Sequence, residues 1–490
     1  MKKIRKKQPN LILIMIDDLR AKNLSCYGYK KTTSPNIDKI AEKGALFLNA
    51  FCTLNATDPS MTSMMTGKLP VNHGIINHGI RVTPKEENYL RNSGIHFLPE
   101  MLQDAGYKTY ALDWLSKWHR EGFDYYMGIQ EKNSIANKIL DNLKKSLKRL
   151  ARGIEKYPFI YNMLRSLYRE KLFENAKEVT DKAIQIIDRN KSRNEKPFFL
   201  FIHYWDTHAP YQTYEWLIDK FYSEDEKIEL TPDEMLKKIG DINMKNTVKS
   251  LFGRRRNIYE ILAKYESCIY FIDSNIGRLM KKLEKTKELN NTIIIITSDH
   301  GESLLQHEIF FDHHGLYDDA INIPLIIYDL RKDFKIRNNS LVQNIDLAPT
   351  IIDLLKLEVK DEFDGQSLVP LINKTKKEIH PYLFIEEAHT ERKRAIRTMK
   401  YKYIQVADSK RSICEYCRRM HGDKEELYDL EKDPEEKENI IKKEPKVANS
   451  LKKKIIEITK KGKSKKSGSL EKERIKVQRA IDEINKKIRI

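Results

Sequence analysis

No stretch of this 490-residue sequence reaches the ~18–20 consecutive apolar residues a helix needs to cross a bilayer, so no membrane-spanning helix is expected. The opening 1-MKKIRKKQPNLILIMIDDLR-20 places basic residues ahead of an apolar run. That run extends only from Leu11 to Ile16, two aspartates follow at once, and no small-residue cleavage site appears. We read a basic arm followed by a buried strand and expect a cytoplasmic protein. Acid is scarce at both ends. Residues 2–7 hold five Lys/Arg and no Asp or Glu, and residues 441–490 hold 18 Lys/Arg against six Asp/Glu. Of the net charge of +19, the ends carry +17 and the body about +2. A uniformly basic enzyme is thereby excluded. The ends are either solvated tails or a means of attachment to an anionic membrane surface. Nucleic acid is disfavoured as a partner, because neither aromatic interleaving nor a recognised nucleic-acid motif accompanies the charge. Cysteine is also rare, with five in the chain, which fits a reducing compartment. Cys414-x-x-Cys417 has His421 nearby but no second pair of the kind a zinc site usually has. Ordinary loop thiols are the expectation, with a structural zinc or a redox pair as the alternative.

The sequence is too long for one small core and suggests a large domain plus a smaller one. The short apolar runs 11-LILIMI-16, 198-FFLFI-202, 293-IIIIT-297 and 324-PLIIY-328 suit strands buried on both faces. Segments of helical spacing that end near glycine, such as 36-NIDKIAEKGALF-47 and 95-IHFLPEMLQDAGY-107, lie between them. The expected fold class is α/β, with a large, mostly parallel central sheet flanked by helices. We place a basic arm at 1–9 and a catalytic domain at 10–375 with helical insertions near 130–192 and 214–258. A small α+β subdomain follows at 376–445, where 394-RAIRTMKYKYIQVAD-408 alternates like a strand pair. A basic helical tail at 446–490 is broken by 461-KGKSKKSGS-469.

In open α/β sheets the reactive groups lie beyond the carboxyl ends of the strands. Asp17 and Asp18 follow LILIMI directly, and Asp299 and His300 follow IIIIT. Two adjacent carboxylates at a buried strand end repel each other unless a cation or a donor is present. Three carboxylates and an imidazole suit a divalent ion: Ca²⁺, Mg²⁺ or Mn²⁺ from the oxygen ligands, with Mn²⁺ or Zn²⁺ favoured by the imidazole. His208 in 203-HYWDTHAPY-211 could hold an ester oxygen or protonate a leaving group. One of His313 and His314, just before PLIIY, is expected to face the site. In 57-TDPSMTSMMTG-67, Pro59 suits a first helical turn, which would put Thr57 just ahead of a helix N-terminus that favours anions. Beside a divalent cation such a hydroxyl can attack phosphorus or sulfur; otherwise it is an N-cap.

Together these residues resemble the sulfatase family of the alkaline phosphatase superfamily over about residues 10–440. The resemblance is carried by 10-NLILIMIDDLR-20, 107-YKTYALDWLSKWHREGFDYYMG-128, 297-TSDHGE-302, 346-DLAPTIIDLL-355 and 427-LYDLEKDPEEKENI-440. It implies an alkaline phosphatase-like fold, a metal held by Asp17, Asp18, Asp299 and His300, and an ester gripped by Lys117, His119 and His208. It further suggests His314 as a catalytic residue and His313 as a substrate contact. One departure bears on the chemistry. Where sulfatases carry the Cys or Ser that becomes formylglycine, this sequence has Thr57, and Met61 stands where they have arginine. Threonine cannot be oxidised to that aldehyde, so no formylglycine is expected. Relatives in the superfamily with a threonine nucleophile include phosphodiesterases and lipid-headgroup phosphotransferases. The expected activity is therefore metal-dependent hydrolysis of a phosphate mono- or diester, or of a sulfate ester, on a small-molecule, lipid or glycan substrate. A phosphotransferase or a catalytically silent binding protein are the alternatives.

Overall fold

The computed structural model describes residues 8–127, 174–192, 196–224, 227–332, 334–388 and 390–465. Residues 1–7 of the expected basic arm at 1–9, most of the expected insertion near 130–192 and residues 466–490 of the expected tail at 446–490 lie outside the described residues.

An eight-stranded sheet organises the larger body. Its strands are β1 (Asn10–Ile16), β2 (Ala45–Phe51), β3 (Lys108–Leu112), β4 (Tyr125–Met127), β5 (Phe198–Tyr204), β6 (Thr292–Thr297), β7 (Asn322–Asp329) and β8 (Ile336–Gln343), in the spatial order β4-β3-β5-β1-β6-β7-β2-β8. All neighbours pair in parallel except β7, which runs antiparallel to both β6 and β2. The four apolar runs read from the sequence are β1, β5, β6 and β7. Alternation explains why they are apolar at every position. Leu11, Leu13 and Met15 of β1 enter the core on one face, while Ile12, Ile14 and Ile16 enter the core on the other. Helices close both faces. The long Ile258–Thr286 helix and α1 (Pro35–Lys43) cover one, and α2 (Thr57–Thr66) with the Leu347–Leu355 helix covers the other.

β7 matters for the site. Seven strands end at one edge of the sheet and the antiparallel strand begins there, so the segment leading into β7 reaches the same edge as the segments leaving β1, β5 and β6.

A second sheet, β12-β11-β10-β9, is wholly antiparallel and built from β9 (Leu383–Glu387), β10 (Lys393–Arg397), β11 (Tyr401–Val406) and β12 (Glu425–Asp429). One of its faces, with Ile385, Ala395 and Ile404, merges into the core of the larger body. The other, with Phe384, Ile396, Tyr403 and Leu427, is covered by the Pro445–Lys465 helix through Ala448, Leu451 and Ile455. That helix continues through Gly462 to Lys465, past the start of the break expected at 461–469. Among the described side chains of this helix, Ala448, Leu451 and Ile455 form the buried stripe and Ile458 packs against it partly covered. Among the described residues no helix is long and apolar enough to cross a membrane.

Candidate active site

β1 ends at Ile16, and the chain turns at once, with Asp18 in the left-handed region at φ 56°. Few non-glycine residues tolerate that conformation, and aspartate is among them. The turn is held from several sides. Thr207 Oγ1–H donates to Asp17 O at 2.5 Å, Tyr265 O–H to Asp18 O at 2.7 Å, and Leu19 N–H to Ser298 Oγ at 3.1 Å. These contacts bring both carboxylates beside the residues that follow β6. His300 Nδ1 lies 3.0 Å from Asp18 Oδ1, and His300 Nε2 lies 3.3 Å from Asp299 Oδ2. Asp17, Asp18, Asp299 and His300 are all buried, at 0–1% exposure. Asp17 Oδ1, Asp18 Oδ1 and Asp299 Oδ2 receive no hydrogen bond. Burial, followed by the charges of Asp17 and Asp299, pushes the Asp18 carboxyl well above the usual carboxylate range. Burial and Asp18 do the same to Glu302, which accepts a bond from Tyr211 O–H at 2.9 Å. Buried carboxylate oxygens converging without donors are what a divalent cation stabilises, and the donor set fits one.

Thr57 is the first residue of α2 rather than the residue before it; Ala56 is the cap. Its Oγ1 lies 3.3 Å from His300 Nε2. All ten residues of α2 are buried although six are polar, because the hydroxyls bond internally. Ser60 Oγ–H donates to Asp299 O at 2.5 Å, Thr62 Oγ1–H to Asp58 O at 2.7 Å and Thr66 Oγ1–H to Thr62 O at 2.6 Å. Ser60 thereby ties the helix start to the metal-ligand candidates. Met61, Met64 and Met65 fill the core, and Met61 at 0% exposure is a packing residue. Gly67 stops the helix at φ 64°, where a Cβ would meet Phe363 Cδ1 at 2.5 Å.

Lys117 and His119 do reach the neighbourhood of Thr57, positioned by the Trp118 indole N–H, which donates to Thr62 Oγ1 at 2.8 Å. Both contact Asp58, which is fully buried. Lys117 Nζ and His119 Nε2 each lie 3.1 Å from its oxygens, His78 Nδ1 lies 3.2 Å away, and Gly79 N–H donates at 2.7 Å. Burial alone would raise the Asp58 carboxyl; the bonds from His119 and His78 outweigh it and hold it well below the usual range. Asp58 and His78 were not singled out from the sequence. Asp58 was hidden by standing beside the more conspicuous threonine, and nothing in the pattern around His78 marks it.

His203 is a further residue missed. It lies in β5, directly after the apolar run, where the strand-end rule could have found it. It is buried between two carboxylates, Nδ1 2.7 Å from Asp113 Oδ1 and Nε2 3.1 Å from Asp17 Oδ2. Burial opposes its charge, but Asp113 and Asp17 raise it to about 10. His203 thus occupies one Asp17 oxygen and leaves the other facing the cluster. His208, with 27% of its side chain exposed, stacks on Trp205 at 3.8 Å, and its Nε2 lies 3.8 Å from Asp18 Oδ2. The two adjacent histidines diverge. The His313 ring lies 4.2 Å from the His300 ring, and its Nδ1–H donates to Asn55 O at 2.6 Å. Asn55 returns a bond to His313 O at 2.7 Å. Burial and the neighbouring His300 lower His313 to about 3. His314 instead points its Nε2 at His421, 3.2 Å away. It is not brought to the ester site, because the side chains of this consecutive pair leave the backbone in different directions.

The geometry can be set beside known proteins. A family model described as sulfatase matches residues 9–357, and one described as N-sulphoglucosamine sulphohydrolase, C-terminal, matches residues 306–461. An N-acetylglucosamine-6-O-sulfatase of Bacteroides thetaiotaomicron is 26% identical over 508 residues, covering 89% of this chain and 83% of its own length. An arylsulfatase of Clostridium perfringens is 26% identical over 469 residues, covering 89% and 91%. Among solved structures, the phosphonate monoester hydrolase of Agrobacterium radiobacter superposes with a TM-score of 0.67 at 18% identity, covering 93% of this chain and 96% of that one. The family model spans well over half of the 490 residues, and the chain therefore belongs to the sulfatase family of ester-bond hydrolases.

Proposed function

We propose that this chain is a metal-dependent ester hydrolase in which the Thr57 hydroxyl attacks the phosphorus or sulfur of a singly charged ester. The observation that carries the reading is the placement of Thr57 Oγ1. It stands in the first turn of α2, 3.3 Å from His300 Nε2 and beside carboxylate oxygens that receive no hydrogen bond. Asp17, Asp18, Asp299 and His300 would hold a divalent ion, which when bound polarises an ester oxygen and eases loss of the threonine proton. The named activities of the relatives, sulfate-ester and phosphonate-ester hydrolysis, support an ester of sulfur or phosphorus.

The reaction balances without another reagent. The Thr57 oxygen bonds to phosphorus or sulfur as the bond to the alcohol oxygen breaks, and the threonine proton ends on the departing alcohol. Water then displaces Thr57 and restores its hydroxyl. Helix α2 directs its N-terminal N–H groups toward the anion. His208 lies near Asp18 and His313 beside His300, the former partly open to solvent and placed to carry a proton to the leaving oxygen.

Asp58 argues for the charge of the substrate. Lys117 and His119 would ordinarily meet the anion, and a buried carboxylate already engages both. With Met61 buried in place of an arginine, the net positive charge around the anion is small. A sulfate monoester or a phosphodiester, each with one charge, is favoured over a phosphomonoester with two.

The test is turnover of an aryl sulfate, an aryl phosphate and an aryl phosphodiester by purified protein supplied with Mn²⁺, Zn²⁺, Mg²⁺ or Ca²⁺. Thr57→Ala should lower kcat/KM by on the order of 10³-fold or more. A phosphodiester substrate that has lost one alcohol should leave Thr57 bonded to a phosphate still carrying the second alcohol, an adduct visible by mass spectrometry after rapid quenching. Hydrolysis of sulfate alone, at the same rate in Thr57→Ala, would overturn the reading.

A further inference from the structure

Away from the ester site, four metal-binding side chains meet inside the protein. Cys414, Cys417 and His421 come from the connection between β11 and β12, and His314 comes from the segment leading into β7. All four are buried, at 0%, 7%, 2% and 1% exposure, and their ligand atoms lie within 4.8 Å of one another. His314 Nε2 is 3.2 Å from His421 Nε2 and 3.8 Å from Cys417 Sγ. A tetrahedral zinc with bonds of about 2.0 Å to nitrogen and about 2.3 Å to sulfur needs separations of roughly 3.3 Å between nitrogens and roughly 3.5 Å between nitrogen and sulfur.

The surroundings are those of a ligand set. Cys417 N–H points at Cys414 Sγ, 3.4 Å away, so the Cys-x-x-Cys turn directs both sulfurs to one side. Each histidine presents Nε2 to the cluster and has an oxygen at its Nδ1. Asp312 Oδ1 lies 3.2 Å from Nδ1 of His314, and His307 O lies 3.4 Å from Nδ1 of His421. Of these only the His307 O contact to His421 is a hydrogen bond, and outer acceptors of this kind fix the ring and tautomer of metal-bound imidazoles. Without an ion, two buried Nε2 atoms face each other at hydrogen-bond distance. A Cys414–Cys417 disulfide would occupy the sulfurs and leave the nitrogens as they are. Two thiolates and two neutral imidazoles around a divalent ion carry no net charge, which removes the cost of burying them.

We propose that His314, Cys414, Cys417 and His421 bind a structural zinc ion that fastens the β11–β12 connection to the segment carrying His313. A tetrahedral set of two nitrogens and two sulfurs selects zinc over calcium or magnesium. The sequence supplied three of these ligands. The fourth lies about a hundred residues earlier and only the fold brings it in.

Full-length protein, purified without chelators, tests this by metal analysis and cobalt substitution. We expect zinc in the wild type and, after exchange for Co²⁺, a thiolate-to-cobalt charge-transfer band in the near ultraviolet with the visible bands of tetrahedral cobalt. Cobalt on the oxygen and nitrogen ligands of the ester site gives no thiolate band, so the two centres are read separately. Cys414→Ser/Cys417→Ser should lose one zinc per chain and the thiolate band, whereas Asp299→Ala should keep both. If the double variant does not fold, the wild-type cobalt spectrum alone decides. A wild-type cobalt protein without a thiolate band, a zinc content unchanged in the folded double variant, or a Cys414–Cys417 disulfide in protein purified under reducing conditions would overturn the assignment.

Discussion

Replacing Asp58 by asparagine separates the charge of the site from its shape. Four nitrogens converge on the two oxygens, and His78 Nδ1 also accepts Asp58 N–H at 3.2 Å. Oδ2 meets Gly79 N–H at 2.7 Å, Lys117 Nζ at 3.1 Å and His78 Nδ1 at 3.2 Å, while Oδ1 meets His119 Nε2 at 3.1 Å. Asparagine keeps one oxygen and places an NH₂ where the other stood, so at least one donor then faces a donor. The least damaging arrangement keeps the oxygen toward Gly79 and Lys117 and turns the NH₂ to His119, which is 0% exposed and cannot reach water. A lost bond to a charged group costs about 1.5–3 kcal/mol, and breaking a buried pair about 3–5 kcal/mol. Lys117 is 33% exposed and can turn to solvent. We therefore expect a loss of roughly 2–4 kcal/mol by urea unfolding.

The same substitution alters charge preference. Removing one buried negative charge about 6 Å from an ester, at an effective dielectric constant between about 20 and 80, changes the attraction for one further unit of ester charge by roughly 1–3 kcal/mol. The ratio of kcat/KM for an aryl phosphate dianion to that for an aryl phosphodiester should rise on the order of 5–150-fold. Both rates are to be measured on the folded fraction at one metal concentration. A variant as stable as its parent, with an unchanged ratio, would refute the claim that Asp58 sets the charge of the site.

Asp206 allows a pH test. It is 3% exposed, and burial raises its carboxyl to about 7. A raised acid favours the protonated fold, so its contribution is fully present below the unfolded value of 3.8 and is lost as pH rises toward 7. That rise corresponds to roughly 4 kcal/mol, and an unpartnered amide would return about 1–3 kcal/mol of it, so Asp206→Asn should be roughly 1–3 kcal/mol more stable at pH 8 and show a flatter pH profile between pH 4 and 7 in urea melts. Asp113→Asn removes a partner of His203 without touching the carboxylate cluster. It should weaken divalent-ion binding about 10–100-fold by calorimetry, because His203 then bears on Asp17 alone. Leu13→Ala in the central strand β1, at 0% exposure, should cost about 2–5 kcal/mol in the same unfolding assay.

What could be read from the sequence follows from how each group is encoded. The sheet was legible because its central strands are buried on both faces, which leaves apolar runs too uniform for a surface element. Asp17, Asp18, Asp299 and His300 were legible because each directly follows such a run. His313 and His314 precede β7 rather than follow a strand, and reach the site edge only because β7 runs antiparallel. Which of the two faces His300 depends on side-chain direction, which no periodicity encodes. Asp113, Asp58 and His78 act through pairing across the fold, at sequence separations that leave no local pattern. The Cys-x-x-Cys was visible, but its fourth partner was assigned to the ester. Consecutive histidines thus face two different groups, with His313 held by Asn55 beside His300 and His314 turned to His421 and Cys417. A zinc ion on His314, Cys414, Cys417 and His421, if bound as proposed, would therefore tie the residue next to His313 to the connection between β11 and β12.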